Sequence, residues 1–116
     1  MPMPTDNIFL KIIDKEIPAK IAYEDDRCLA FHDVNPQAPV HVLIVPKKVI
    51  ATTDDLTDAD EGIVGHLHLV AVKLAKEFGL SEGYRLVLNC KGHGGQTVPH
   101  LHLHLLGGRQ FGWPPG

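Results

Sequence analysis

At 116 residues, the chain is long enough for one domain around a single hydrophobic core. Apolar residues make up 44% and charged residues 22%, an ordinary globular composition that excludes a disordered or collagen-like chain. The net charge of −3 excludes a broad electrostatic grip on nucleic acid or on an anionic membrane, so any anion site must be local.

In chain order, the first six residues lack a basic stretch followed by an apolar run, so no secretory leader is expected. No apolar stretch approaches ~18 residues, so no membrane span is expected either. Residues 7–15 place Ile8 and Ile12, with Phe9 and Ile13, along one helical face, which predicts a short helix ended before Pro18. Residues 21–24 and 28–32 read as strands joined by a turn at Asp25-Asp26. Pro36 and Pro39 make the next stretch a loop, and a third strand over 40–45 stops at Pro46. The short run Lys47-Lys48 reads as a solvated turn.

A long helix follows. Thr57 is its expected N-cap, acidic residues suit its positive end, and Ile63, Val64, Leu67, Val70, Ala71, Leu74, Ala75 and Phe78 form its apolar stripe. Gly79 is the expected stop. A fourth strand over 84–89, a glycine-rich loop over 91–97 and a fifth strand over 100–106 complete the regular elements. The proline- and glycine-containing tail reads as irregular. Neighbouring strands with one long and one short helix predict an α+β fold on a five-stranded, largely antiparallel sheet.

The two cysteines, Cys28 and Cys90, lie far apart without a CxxC pattern and read as free thiols in a reducing compartment, the cytoplasm. Cys28 falls in a strand and suits a small core residue. Eight histidines are the unusual feature. His66 and His68 sit two positions apart on the long helix, facing different ways, and read as surface or interface residues.

The run Pro99-His100-Leu101-His102-Leu103-His104-Leu105-Leu106 carries the chemistry. Strand alternation sends the leucines into a core and the three histidines to the other face, in a row with steps of ~6.7 Å. One metal ion cannot take all three from one strand: the outer two would be ~13 Å apart, whereas zinc sits ~2.1 Å from each ligating nitrogen. A mononuclear zinc site would need another ligand such as His41. The other reading is nucleophilic catalysis at phosphorus. A neutral imidazole attacks, its neighbours disfavour its protonation, and a further histidine supplies a proton to the leaving group. Gly92, Gly94 and Gly95 let backbone N–H groups approach an anion, Thr97 adds a hydroxyl and Asn89 an amide. His93 lies in the same loop, where it can touch a phosphate or simply face solvent.

The motif His-φ-His-φ-His-φ-φ at 100–106 resembles that of the histidine triad superfamily. The stretches 8–13, 31–41, 94–97 and 106–116 are similar to its nucleotide-binding branch, so the resemblance runs from about Asp6 to Gly116. It implies metal- and cofactor-independent cleavage of the bond between a purine nucleoside 5′-phosphate and an amine or acyl group. By motif position, His102 would be the nucleophile and form a nucleotidyl-histidine. His104 would contact phosphate and assist the leaving group, and His100 and His41 would support them. The resemblance further implies that Asn89, Gly95, Gln96 and Thr97 bind phosphate and that Asp33 holds the ribose. Ile8, Phe9, Ile12, Phe31 and His32 would line the base pocket. It implies a homodimer with a continuous sheet, with Trp113 near the partner's site. Relatives that transfer uridylyl groups carry Gln where this chain has His104, which favours hydrolysis. Thr97, where serine is expected, and Pro99 before the triad depart from the branch. A nucleotide-binding or protein-interaction regulator with incidental catalysis is the alternative reading, and a zinc-binding module is another.

Overall fold

The computed structural model describes residues 6–116. All but Asp6 of the stretch read for a leader lies outside the described residues. Helix α1 (Ile8–Ile13) leads into strands β1 (Ile21–Glu24), β2 (Cys28–His32) and β3 (Val40–Pro46). Two 3₁₀ turns (Thr53–Asp55 and Asp58–Asp60) precede the long helix α2 (Glu61–Glu77). Strand β4 (Tyr84–Val87), a single helical turn α3 (Lys91–Gly94) and strand β5 (Leu103–Gly107) follow. The five strands form one sheet in the order β1-β2-β3-β5-β4, every neighbouring pair antiparallel. The α+β expectation therefore holds, with α3 and the two tight turns as additions. Among the described residues, no helix is long and apolar enough to cross a membrane.

Pleating gives the sheet two buried faces. One packs against α2 and joins Cys28, Ala30, Val42, Ile44, Leu103 and Leu105 to Leu67, Val70, Ala71 and Leu74. The other lies under α1 and joins Leu29, Phe31, Leu43 and Val45 to Phe9 and Ile12. The buried stripe of α1 is thus Phe9 and Ile12, one turn apart, while Ile8 is 41% exposed. Cys28 is fully buried, and burial first and then the nearby Asp25 charge push its thiol up to about 12.

Three local expectations shift. Thr57 caps the 3₁₀ turn rather than α2: its backbone N–H and hydroxyl both donate to the Asp60 carboxylate, which closes that turn and starts the helix at Glu61. Strand β4 ends at Val87 rather than Asn89. Strand β5 begins only at Leu103, because the ladder with β3 ends at Ile44 opposite Leu103. Upstream, Leu101 N–H turns to the Ile50 carbonyl, and His100 N–H bends back to the Val98 carbonyl. Pro99 has no N–H to offer a ladder there. Gly79, with φ +68°, ends α2 as expected.

Asp25 ties the β1–β2 hairpin to α2. One carboxylate oxygen accepts from the backbone N–H groups of Arg27 and Cys28, at 2.8 and 2.9 Å. The other meets the Tyr23 hydroxyl at 2.9 Å and His66 Nε2, from α2, at 2.6 Å. His66 is therefore a half-buried tether, whereas His68 is exposed. The run Lys47-Lys48 is engaged in ion pairs, Lys47 with Glu24 and Lys48 with Asp60.

Candidate active site

The histidines lie on the α1 side of the sheet, and their hydrogen-bond partners fix their tautomers. His102 Nδ1 is 2.7 Å from the His100 carbonyl. A carbonyl only accepts, so this nitrogen carries the proton and Nε2 keeps a bare lone pair. His100 Nε2 donates to the Pro46 carbonyl at 2.7 Å, which leaves its Nδ1 to accept from the Asn7 amide at 2.9 Å. His41 Nδ1 accepts the Gln37 backbone N–H at 3.0 Å. Its proton is therefore on Nε2, donated to His104 Nδ1 at 2.9 Å. His104 consequently carries its proton on Nε2, and that buried atom has no partner among the described residues.

The rings form a compact group. His102 stands edge-to-face with Phe9 and with His104, ring centroids 4.9 Å apart in both pairs. Phe9 meets Phe31 at 5.4 Å. Asp33 Oδ2 is 3.5 Å from His41 Nε2, and Asp33 Oδ1 accepts the Asn35 N–H. The expected row of three histidines on one strand is corrected. His100 and His102 precede β5, and His100 is fully buried with both ring nitrogens engaged. The ladder's end frees the His100 carbonyl to hold the His102 ring.

Burial lowers the pKa of all four histidines. For His102 the His100 carbonyl and Asp33 oppose the shift, and for His41 Asp33 does. His100 is lowered further by His102 and opposed by the Pro46 carbonyl. His104 is driven to about 4 by burial, then by the His102 and His41 rings, with Asp33 opposing. All are neutral at pH 7, as a histidine nucleophile requires. The same shifts couple to stability. The unfolded chain binds protons at about pH 6.5 that the folded chain refuses until lower pH, so stability is full above that pH and falls as pH drops towards 4. Urea unfolding is expected to show a lower midpoint at pH 5 than at pH 7.5, with less of that difference in His104→Gln.

The glycine-rich loop is held by Gln96, which is buried. Its side chain accepts from Lys91 N–H at 2.8 Å and donates to the carbonyls of Ala51 and Val98 at 2.7 and 2.9 Å. The backbone N–H groups of Gly95 and Gln96 donate to Gly92 and Lys91, so the turn itself uses them. Gly95, at φ +83°, needs its glycine. Asn89 is half-buried, while Thr97 and His93 are exposed. The side chain of His32 does not join the base-pocket group: it follows Phe31 in β2, points to the opposite face, and packs edge-on against Phe78 at 5.6 Å. Trp113 is 85% exposed on the single chain.

Asp33, His41 and His104 hold potential metal-ligand atoms within 4.8 Å of one another. Two of those atoms, however, are joined by the His41–His104 hydrogen bond, and His100 has no free ring nitrogen for the expected zinc set. Sequence reasoning missed Asn7 and Gln37. An asparagine before an apolar run reads only as a cap, and Gln37 acts through its backbone, which no side-chain pattern reveals.

The HIT domain family matches residues 14–111. An uncharacterised HIT-like protein of Synechocystis sp. is 57% identical over 114 residues, covering 98% of this chain and all of that protein. The crystal structure of a HIT family hydrolase from Legionella pneumophila superposes with a TM-score of 0.94 at 53% identity, covering 96% of this chain and all of that one. A histidine triad nucleotide-binding protein from Candida albicans superposes with a TM-score of 0.80 at 33% identity, covering 94% and 83% of the two chains. With its triad at 100–104 and this fold, the chain belongs to the HIT domain family.

Proposed function

We propose that this protein hydrolyses purine nucleoside 5′-phosphoramidates, and the related acyl adenylates, to nucleoside monophosphates through a nucleotidyl-histidine at His102. The observation that carries this reading is the pairing of a bare His102 Nε2 lone pair with an unpartnered His104 Nε2–H on an adjacent ring. His102 Nε2 attacks the α-phosphorus and the phosphorus–nitrogen bond breaks. The departing nitrogen takes a proton at the His104 Nε2 position, and the cation formed on His102 offsets the charge left there. Water then cleaves the His102–phosphorus bond and its proton returns to His104. Phe9, Ile12 and Phe31 offer an apolar wall for the base, with Ile8 at its exposed rim. Asp33 takes the ribose hydroxyls, and Asn89 and Thr97 take the phosphate, beside the turn that Gly95 and Gln96 hold in shape with their own N–H groups. The histidine triad nucleotide-binding protein and the HIT family hydrolase among the solved neighbours support a nucleotide ligand and hydrolysis.

We place the reaction in a cytoplasmic homodimer. Strand β4, whose Tyr84 is exposed, is a sheet edge, and Trp113 and Leu69 are exposed apolar side chains that a partner subunit would cover. The test is AMP release from adenosine 5′-phosphoramidate with and without excess EDTA. Release that ignores EDTA is expected. Release abolished by EDTA, or none, would overturn the reading in favour of a zinc module or a binding protein.

A further inference from the structure

We infer that Asn7 is a positioning residue that locks His100, and through it the nucleophile, to the N-terminus of the helix forming the apolar wall. The inference rests on the function proposed above for His102. Asn7 makes two bonds of opposite sense. Its Oδ1 accepts Leu10 N–H at 3.0 Å and caps α1, which orients the amide so that Nδ2 donates to His100 Nδ1 at 2.9 Å. His100 then has one permitted tautomer, with Nε2–H on the Pro46 carbonyl, and its fully buried ring cannot turn. The backbone carbonyl of the same residue orients His102 through Nδ1. Two residues beyond Asn7, Phe9 meets that ring edge-to-face, with centroids 4.9 Å apart. Helix α1 is thus clipped to the triad at His100 by a polar bond and at His102 by an aromatic contact.

A capping role alone and a positioning role predict different orders of variants. Serine and aspartate cap helices about as well as asparagine, so a cap alone predicts three similar enzymes. Of the three, only asparagine pairs its capping oxygen with a separate amide donor, the Nδ2 that reaches His100. Asn7→Ser removes that donor, and Asn7→Asp sets a carboxylate against the Nδ1 lone pair. The expected result for Asn7→Ser is a kcat lowered roughly 3- to 10-fold on adenosine 5′-phosphoramidate, the size of one lost hydrogen bond. KM should move less than twofold and the melting temperature by no more than a few degrees, and Asn7→Asp should be slower still. Imidazole ¹⁵N spectra give an arm independent of turnover, in which the His100 Nδ1 resonance moves in both variants. Unchanged His100 resonances, or rates that fall only in step with melting temperature, would overturn the inference. A wild-type protein with no turnover would overturn the function above and leave the spectra to decide the role of Asn7 at His100.

Discussion

Replacing His102 with alanine is expected to lower hydrolysis of adenosine 5′-phosphoramidate by at least about 10³-fold while AMP binding stays within a few-fold of wild type. The size follows from the geometry. His102 has the one triad nitrogen whose lone pair is set bare by a backbone carbonyl, since His100 and His41 spend both nitrogens on neighbours and His104 points a proton outward. No adjacent group can take its place as nucleophile. Binding survives because the apolar wall of Phe9, Ile12 and Phe31 and the carboxylate of Asp33 stand without it. Calorimetric titration with AMP beside a turnover assay checks both halves. Turnover retained in the variant would remove the covalent route, and a loss confined to binding would make His102 a ligand contact.

The largest effect on stability is expected away from the triad. Asp25→Ala removes one acceptor from four donors: two backbone N–H groups, the Tyr23 hydroxyl and His66. Unpartnered polar groups in a half-buried turn cost about 1–3 kcal/mol where one donor is stranded, so a loss of about 2–4 kcal/mol is expected here, partly relieved by water. Asp25→Asn keeps the oxygen that closes the turn and should cost about 1 kcal/mol. Although burial raises the Asp25 carboxyl, bonds from Arg27 N–H, His66, Tyr23 and Cys28 N–H together hold it well below the usual carboxylate range. Its contribution is therefore full above about pH 4 and declines as the pH falls towards that depressed range, so the gap between wild type and Asp25→Ala should narrow at pH 3 without closing. Urea unfolding of the three proteins at pH 7 and pH 3 measures this. Equal midpoints at pH 7 would show Asp25 to be an ordinary surface carboxylate.

Elements with local causes were legible in the sequence. Strands β1, β2 and β3 and the stop at Gly79 follow from alternation and from proline or glycine at their ends. What long-range packing decides was not legible. Alternation over 100–106 reads as one strand, but where β5 begins depends on where its ladder with β3 stops, and Ile44, which marks that point, is far away in the chain. Alternation did carry the fact that His32 and Phe31 face apart, although the resemblance grouped them in one pocket. The residue types of the site were visible in the triad, whereas its tautomers depend on the carbonyls of Pro46 and His100 and the amide of Gln37. These are backbone atoms that every residue has and no pattern marks.

The bonds that set those tautomers also say when the site comes into being. They join Asn7 to His100, His41 to His104 and Pro46 to His100, across sequence separations of 93, 63 and 54 residues. Closing such loops is slow compared with forming α2 or the β1–β2 hairpin, whose contacts are local. Arg109 adds a further distant tie, donating to the carbonyl of the same Gln37 whose N–H holds His41. The triad is therefore a late product of folding. A refolding chain regains its helix signal before it regains a working nucleophile, and catalysis reports on the finished molecule rather than on its parts.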